Sequence, residues 1–219
     1  MNVTNSSVLL NINSGRYPMS LADVRVETGA SFAAEPSEDL LGDVGYAVVH
    51  PSEQPLFDEA TQVVEQGAPT LTGGEWKQSW VVRDHTAEEA EIYFTHEKAR
   101  VLQAIKALQA ESIEKGCAYT FPDATVGHVQ LRDGDRGNLA GLKLRAQDSK
   151  NAQDNQAFFF RTYENKTKMG LTADDIIAIC DTAFTQYMFI LGTCWAMRDL
   201  ADAATDLASL PEVPETIDA

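Results

Sequence analysis

The longest apolar stretch of the chain lies between Asp175 and Arg198 and contains a single charged residue. Its apolar positions recur at intervals of three and four residues, which is the spacing of a helix face, and residues 188–191 fill every direction around the axis. Thr172 is a suitable N-cap and is followed by acidic residues, which the helix dipole favours. The pattern predicts one long helix from Thr172 to about Leu207, and a helix that is apolar on all sides is expected to be buried in protein or lipid.

A second long helix is predicted over residues 84–116. Thr86 and Glu89 have the spacing of a capping box, and Gly116 is a suitable C-cap. The apolar residues of this helix approximate the seam of a coiled coil, although Lys98 occupies one of the seam positions. Two interpretations stay open: a coiled coil between copies, or an amphipathic connecting helix that packs on its own chain. The apolar seam residues are Phe94, Val101, Ile105 and Leu108.

The segment before this helix predicts a small mixed α/β module over residues 14–83. Residues 1–13 precede it as an N-terminal arm, which is either flexible or a short edge strand. Short helices are expected after Ser20 and Ser37, because serine favours the N-cap position. Strands are predicted at Tyr46–Val49, Thr61–Gln66 and Trp76–Val82, and are interpreted as a meander. By parity Trp76 and Trp80 share one strand face, and they are expected to anchor the core of this module rather than to bind a partner.

The segment after the helix predicts a C-terminal α+β module over residues 117–208. Two hairpins, one in 118–131 and one in 157–169, flank a helix from Asn138 to Lys150 and precede the apolar helix. The run Asp133–Asn138 is interpreted as a turn that leads into that helix, with Asp135 or Asn138 as its cap. Residues 209–219 hold acids and prolines and no expected core residue, so they are predicted to form an acidic flexible tail. The fold class is therefore α+β, with hairpins packed on a long apolar helix.

Three consecutive phenylalanines, Phe158–Phe160, begin the second hairpin. Successive side chains of a strand point to opposite faces, so one face packs on the apolar helix and the other needs a partner. We therefore predict a protein–protein interface here. Its residues are Phe158, Phe159, Phe160 and Tyr163 of the hairpin, together with the seam residues Phe94, Val101, Ile105 and Leu108.

The charge and residue composition of the chain exclude several classes of function. The chain carries 33 acidic and 17 basic residues, a net charge of −16, which argues against nucleic acid and anionic membranes as partners. The apolar helix is long enough to span a bilayer, but its polar residues and acidic cap favour a soluble role. The four histidines are isolated in sequence, and no phosphate-binding loop or nucleophile elbow is present. We predict no catalytic residue, no cofactor and no metal, and do not expect an enzyme.

The order of the motifs carries a family resemblance. The run Tyr17–Arg25 comes first, and the strand from Trp76 to Trp80 leads directly into the Asp-x-Thr-x-Glu-Glu helix start. Leu171–Asp175 opens the last helix. This order resembles proteins of tailed bacteriophages. Residues 117–207 are similar to a domain of unknown function found in phage tail-fibre and tail-fibre-assembly proteins, and the N-terminal part resembles the small domain that commonly precedes it.

The resemblance implies a structural protein of the virion tail, in a tail fibre or in the baseplate region that carries it, with a role in host attachment. It would be made in the host cytoplasm and would act by assembly. Its expected partners are other phage tail proteins and further copies of itself, with a trimer favoured. The alternative is a tail-fibre-assembly chaperone that is not retained in the virion.

Overall fold

The computed structural model describes residues 3–4, 6–29 and 32–217, and the chain divides into two compact units, Met1–Ile92 and Tyr93–Ala219. Helices and strands occur together in both units, so the predicted α+β class is confirmed. The elements up to the long helix are β1 (Leu9–Asn11), α1 (Leu21–Thr28), α2 (Glu38–Asp43), β2 (Tyr46–His50), β3 (Gln62–Thr72) and β4 (Glu75–Asp84).

Both short helices begin at the predicted serines. The Ser20 hydroxyl accepts a hydrogen bond from the Asp23 N–H, and the Asp23 carboxylate accepts the Ser20 N–H in return. Ser37 caps α2 in the same way, by accepting the Leu40 N–H. These caps satisfy N–H groups that have no partner inside the helix, so a few adjacent residues determine where each helix starts.

The strands form one sheet in the order β1-β2-β4-β3, and the predicted meander is wrong. β3 and β4 form an antiparallel hairpin that turns at Gly73 and Gly74, both with positive φ. β4, rather than β3, pairs with β2, and this pairing is parallel through Val49 and His50. The prolines of the segment 51–61 cannot donate to a β-ladder, so the chain leaves the sheet there and returns as an outer strand.

The strand β1 pairs antiparallel with β2 and lies at one edge of the sheet. Of the two alternatives for the N-terminal arm 1–13, the edge strand therefore holds for Leu9–Asn11, while residues 1, 2 and 5 lie outside the described residues. The buried core of this unit does not include Trp76 or Trp80, contrary to the prediction. They are half-buried, because the buried cluster of this unit contains residues of β1, α1, α2 and β2 and none of β4. The core residues are Val3, Leu9, Met19, Leu21, Val24, Leu41 and Tyr46.

The remaining elements begin with the long helix, which spans the boundary between the two units. They are α3 (Ala87–Lys115), β5 (Cys117–Thr120), β6 (Val126–Val129), α4 (Asp133–Ala152), β7 (Phe158–Arg161), β8 (Thr167–Leu171), α5 (Ala173–Ala203) and a 3₁₀ turn (Leu207–Ser209). β5 pairs with β6 and β7 with β8, each as an antiparallel hairpin. Both predicted hairpins are thereby confirmed.

The helix α4 begins at Asp133, five residues before the predicted start at Asn138. Neither Gly134 nor Gly137 takes a positive φ, so the two glycines do not form the predicted turn. The N-cap is Arg132, which makes no capping hydrogen bond with its side chain, so the prediction of Asp135 or Asn138 as the cap is also wrong. The acids instead lie in the first turn, where they complement the helix dipole.

The helix α5 is the element on which the second unit packs. The Thr172 hydroxyl accepts the Asp175 N–H at 3.2 Å, and the Asp175 carboxylate accepts the Thr172 N–H at 2.8 Å, so the helix starts as predicted. The helix α4 and the strands β5 and β7 pack against it. Its buried residues are Ile176, Ile179, Cys180, Ala183, Ile190, Cys194, Met197 and Ala201.

The end of the chain contributes to this core. Ile217 is 8% exposed and lies in the core of the second unit, with Val213 half-buried against the same core. The prediction that residues 209–219 hold no core residue is therefore wrong for Ile217. Burial of these apolar side chains is favourable and holds the segment against the core although the segment is acidic. Residues 218 and 219 of the predicted tail lie outside the described residues.

Candidate protein–protein interface

One side of α5 is exposed along the second half of the helix, so the chain itself does not bury this helix on all sides. Met188, Phe189, Trp195 and Leu200 are 56%, 45%, 51% and 59% exposed. The side of the helix that carries Ile190 and Cys194 is buried. We call the exposed face the α5 stripe, and its residues are Met188, Phe189, Gly192, Trp195, Ala196 and Leu200.

The α5 stripe is large for a surface that faces water. Side chains of this size present roughly 150–250 Å² each, so four that are half exposed leave on the order of 400–500 Å² of apolar surface. An apolar patch of this size on one chain commonly marks an interaction site. Between residues 182 and 201 the helix carries two charges, Arg198 and Asp199. The centre of the stripe is therefore free of charge.

Among the residues that the structure describes, α5 is the one helix long and apolar enough to cross a membrane by length and composition. A helix at the core of a protein meets the same two criteria. Eight α5 residues are buried within the described chain, and Asp181 on its exposed surface lies within hydrogen-bonding reach of Lys143. Length and composition therefore do not make this helix a membrane span.

The predicted interface on the second hairpin is divided between the two faces of β7. Phe158 and Phe160 are buried in the core of the second unit, and the centre of the Phe160 ring lies 6.1 Å from the centre of the Phe121 ring. These two predicted interface residues are therefore occupied within their own chain. Phe159 is 65% exposed and lies opposite Met169, which is 73% exposed, while Tyr163 is exposed beyond the strand. The alternation of faces was predictable, because side-chain direction alternates along a strand.

The predicted seam of α3 is also occupied within the chain. Ile105 and Leu108 are buried in the core of the second unit, with Val101 half-buried against it. Phe94 is half-buried, with the Lys98 ammonium 5.8 Å from the centre of its ring. Of the two interpretations of this helix, the amphipathic helix that packs on its own chain describes the structure, because a buried side chain is unavailable to a second helix.

The sequence prediction missed the four large residues of the α5 stripe and Met169. A signal for the stripe is present in the sequence. The run of residues 188–191 is apolar in every direction, whereas a small unit cannot cover all sides of a helix. That pattern predicted burial, but it is equally the pattern of a helix whose remaining side binds another protein.

A polar arrangement in the second unit lies beside a cavity of about 380 Å³. His128 lines the cavity, and its Nδ1 is 2.6 Å from Oε1 of Glu164. The same carboxylate accepts the His128 backbone N–H at 3.1 Å, and the Tyr163 N–H donates to the His128 carbonyl at 2.9 Å. Hydrogen bonding, above all to the His128 side chain, lowers the pKa of Glu164 to about 2. These contacts attach the turn of the β7–β8 hairpin to β6.

The cavity also contains Cys117 in its lining, but the geometry does not favour nucleophilic chemistry. The thiol is buried and donates to the carbonyl oxygen of Ala118 at 3.4 Å, and burial raises its pKa. A raised pKa keeps a thiol protonated at neutral pH, whereas the thiolate is the nucleophile. Cys180 and Cys194 are also buried, and burial raises the pKa of Cys180 to about 11.

Comparison with family models gives one match, described as Domain of unknown function (DUF4376), over residues 96–218. The match begins within α3 and includes every later element, α5 among them. Neither the curated proteins nor the solved structures give a match.

Proposed function

The chain belongs to the DUF4376 family, and from that premise we propose that it is a structural assembly protein of a bacteriophage tail. It acts by binding other proteins and does not act by catalysis. The single observation that supports this function is the α5 stripe, an apolar surface on the central helix of the second unit. The resemblance of the motif order supports the choice of a phage tail, with the protein in a tail fibre or the adjoining baseplate region.

The exposed aromatic residues make binding the appropriate class of function. Aromatic residues, Trp and Phe among them, are enriched at the buried core of protein interfaces, and Phe189 and Trp195 lie at the centre of the stripe. Their burial in a partner would remove an exposed surface that otherwise promotes aggregation. A tail-fibre-assembly chaperone would use the same surface transiently and leave before the particle is complete.

Mass spectrometry of purified virions tests this function. We expect the protein in washed particles at a fixed ratio to the other tail proteins. A variant with Phe189→Ser and Trp195→Ser should be made at normal levels but be lost from particles. Leu144→Ser is the matched control, because Leu144 is also an exposed apolar residue of a helix, 60% exposed on α4 and outside the stripe.

Each outcome of that experiment is informative. Absence of the wild-type protein from virions, together with its co-purification with tail fibres before assembly, would replace the structural role with the chaperone. Retention of the stripe variant at the wild-type level would show that the α5 stripe does not carry the assembly function.

A further inference from the structure

We propose that the α5 stripe binds the same stripe of a second copy, with the two helices antiparallel about a two-fold axis that passes beside Gly192. This inference rests on the proposed assembly function and names the first partner in it. It also changes the expected stoichiometry, because the unit of assembly becomes a dimer in place of the trimer that the resemblance implies. In such an isologous contact each residue meets the residue at the same distance on the other side of the axis.

The residues on the two sides of Gly192 complement each other in size. Three positions away, Phe189 meets Trp195 of the second copy, and two aromatic rings pack favourably at an angle. Four positions away, the large Met188 meets the small Ala196, so that side chains of one helix enter spaces of the other. The stripe is therefore complementary in shape to the same stripe of a second, antiparallel copy.

The charge pattern selects the antiparallel arrangement. Seven positions from Gly192, Thr185 meets Asp199 of the second copy, and a hydroxyl can donate to a carboxylate. A parallel arrangement would instead place each residue against its own copy. Two Asp199 carboxylates would then face each other, and two Trp195 side chains would compete for the same space. An antiparallel pair avoids this like-charge contact although the chain carries a net charge of −16.

Gly192 permits the two helices to approach closely. It lies within the 31-residue helix α5, and a Cβ built on it meets no atom within 4 Å. Its φ is not positive, so the backbone does not require glycine there. Glycine within a helix costs about 1 kcal/mol relative to alanine, which makes it unfavourable for folding alone. Its absent side chain leaves a site at the middle of the stripe where the second helix can lie.

The area of the stripe predicts a weak dimer. Its exposed apolar surface, on the order of 400–500 Å² per copy, is about half of the roughly 800 Å² that each partner contributes to a standard interface. The polar residues at its edges, among them Thr185 and Asp199, supply further area. We therefore expect association that depends on protein concentration and a monomer that remains folded on dilution.

Cross-linking between introduced cysteines tests the arrangement. In the antiparallel dimer, Thr185 of one copy faces Asp199 of the other, so the double variant Thr185→Cys with Asp199→Cys should cross-link between chains through a short bifunctional maleimide. Each single variant should not, because the two copies of one position lie roughly 21 Å apart along the axis at 1.5 Å per residue. The wild-type protein is the background control, since its three cysteines are buried.

Sedimentation equilibrium of Gly192→Leu tests the close approach. The added side chain has space within its own chain but fills the crossing, so we expect the dissociation constant of the dimer to rise by about tenfold or more. The thermal midpoint of the diluted protein should not fall. Gly141→Leu is the matched control, because Gly141 is an exposed glycine of α4 whose Cβ likewise meets nothing within 4 Å.

Four outcomes would overturn the inference and leave the proposed function open to its own test in virions. The first is a trimeric mass with cross-linking of the single-cysteine variants, which is the parallel arrangement. The second is a monomer at every concentration that is nevertheless retained in virions, which would assign the stripe to a different tail protein. The third is unchanged association of Gly192→Leu. The fourth is sedimentation with neutral phosphatidylcholine vesicles in place of dimer formation, which would assign the stripe to lipid.

Discussion

Ile190 and Phe189 are neighbours on α5 that face opposite environments, and their replacement by alanine separates folding from association. Ile190 is fully buried, whereas Phe189 is 45% exposed in the stripe. Ile190→Ala removes three carbon atoms from the core. At about 0.8 kcal/mol for each buried carbon the transfer contribution is roughly 2.4 kcal/mol, and the remaining cavity raises the expected loss of unfolding free energy to about 3–4 kcal/mol.

Phe189→Ala is expected to behave differently. Water can enter the space it leaves, so the diluted monomer should lose about 1–1.5 kcal/mol, corresponding to the covered part of the ring. At a protein concentration that favours association the loss should increase, because a folded state that binds a partner is stabilised by that binding. Ile190→Ala is therefore expected to cause the larger loss of monomer stability, although isoleucine is smaller than phenylalanine. Phe189→Ala is expected to cause a loss that depends on protein concentration.

The assay is urea unfolding followed by the fluorescence of Trp195, with Trp76 and Trp80 replaced by phenylalanine so that the signal comes from the second unit. Each variant is measured at a low and a high protein concentration. A loss of unfolding free energy below about 1 kcal/mol for Ile190→Ala would refute the packing of α5, since truncation of a buried isoleucine to alanine typically destabilises a protein by about 2–5 kcal/mol. An equal loss for both variants at low concentration would show that Phe189 is covered by its own chain, and the α5 stripe would not exist.

Three further predictions concern the second unit. Gly116→Ala should destabilise it by more than about 1 kcal/mol, because Gly116 has a φ of +79° and the added Cβ would lie 2.4 Å from the Val129 carbonyl oxygen; thermal unfolding measures the loss. Thr172→Ala should cost about 1 kcal/mol in urea unfolding, since the cap of α5 is lost. For Glu164, whose pKa is about 2 in the folded chain, the stability from its contacts with His128 is present above its unfolded pKa and is lost as the pH falls towards 2. Glu164→Gln should therefore flatten the decline in stability over that acid range, as measured by unfolding at a series of pH values.

Each of these three predictions has a control or a contradicting result. Gly141→Ala, on a glycine with free space and no positive φ, should not destabilise the protein. Thr182→Ala should cost less than Thr172→Ala, because the Thr182 hydroxyl donates to a carbonyl oxygen inside the helix, whereas the Thr172 hydroxyl accepts an N–H of the first turn that has no partner within the helix. An identical acid profile for Glu164→Gln and the wild-type protein would contradict the stated contribution of Glu164.

The sequence by itself determined the elements whose cause is local. The capping boxes at Ser20, Thr86 and Thr172 each join a hydroxyl to a backbone N–H three residues later, so their residues alone define the helix start. Gly116 ends α3 for an equally local reason, since its positive φ favours glycine. Phe159 faces the opposite side from Phe158 and Phe160 because side chains alternate along a strand.

The candidate interface was predictable only in part. Parity predicted that one face of the Phe158–Phe160 strand is buried and the other exposed, without stating which residues lie on which face. The α5 stripe was not predicted, because its residues have the same apolar character as the buried residues of that helix. The seam of α3 shows the reverse error, since Ile105 and Leu108 have the pattern of an interface and are buried within the chain. Apolar periodicity predicts that a helix face will be buried, but it does not distinguish burial within the chain from burial by a partner.

Only the tertiary structure decided which surfaces meet. The parallel pairing of β2 with β4 through Val49 and His50 depends on strands far apart in the sequence, and Ile217 enters a core that forms from distant elements. The exposure of the α5 stripe likewise depends on how much of the chain is available to pack on that helix. Caps, turns and strand parity involve a few neighbouring residues, whereas burial is a property of the whole folded unit. That difference is the physical reason why the sequence determined the elements of this protein and the tertiary structure determined its exposed apolar surface.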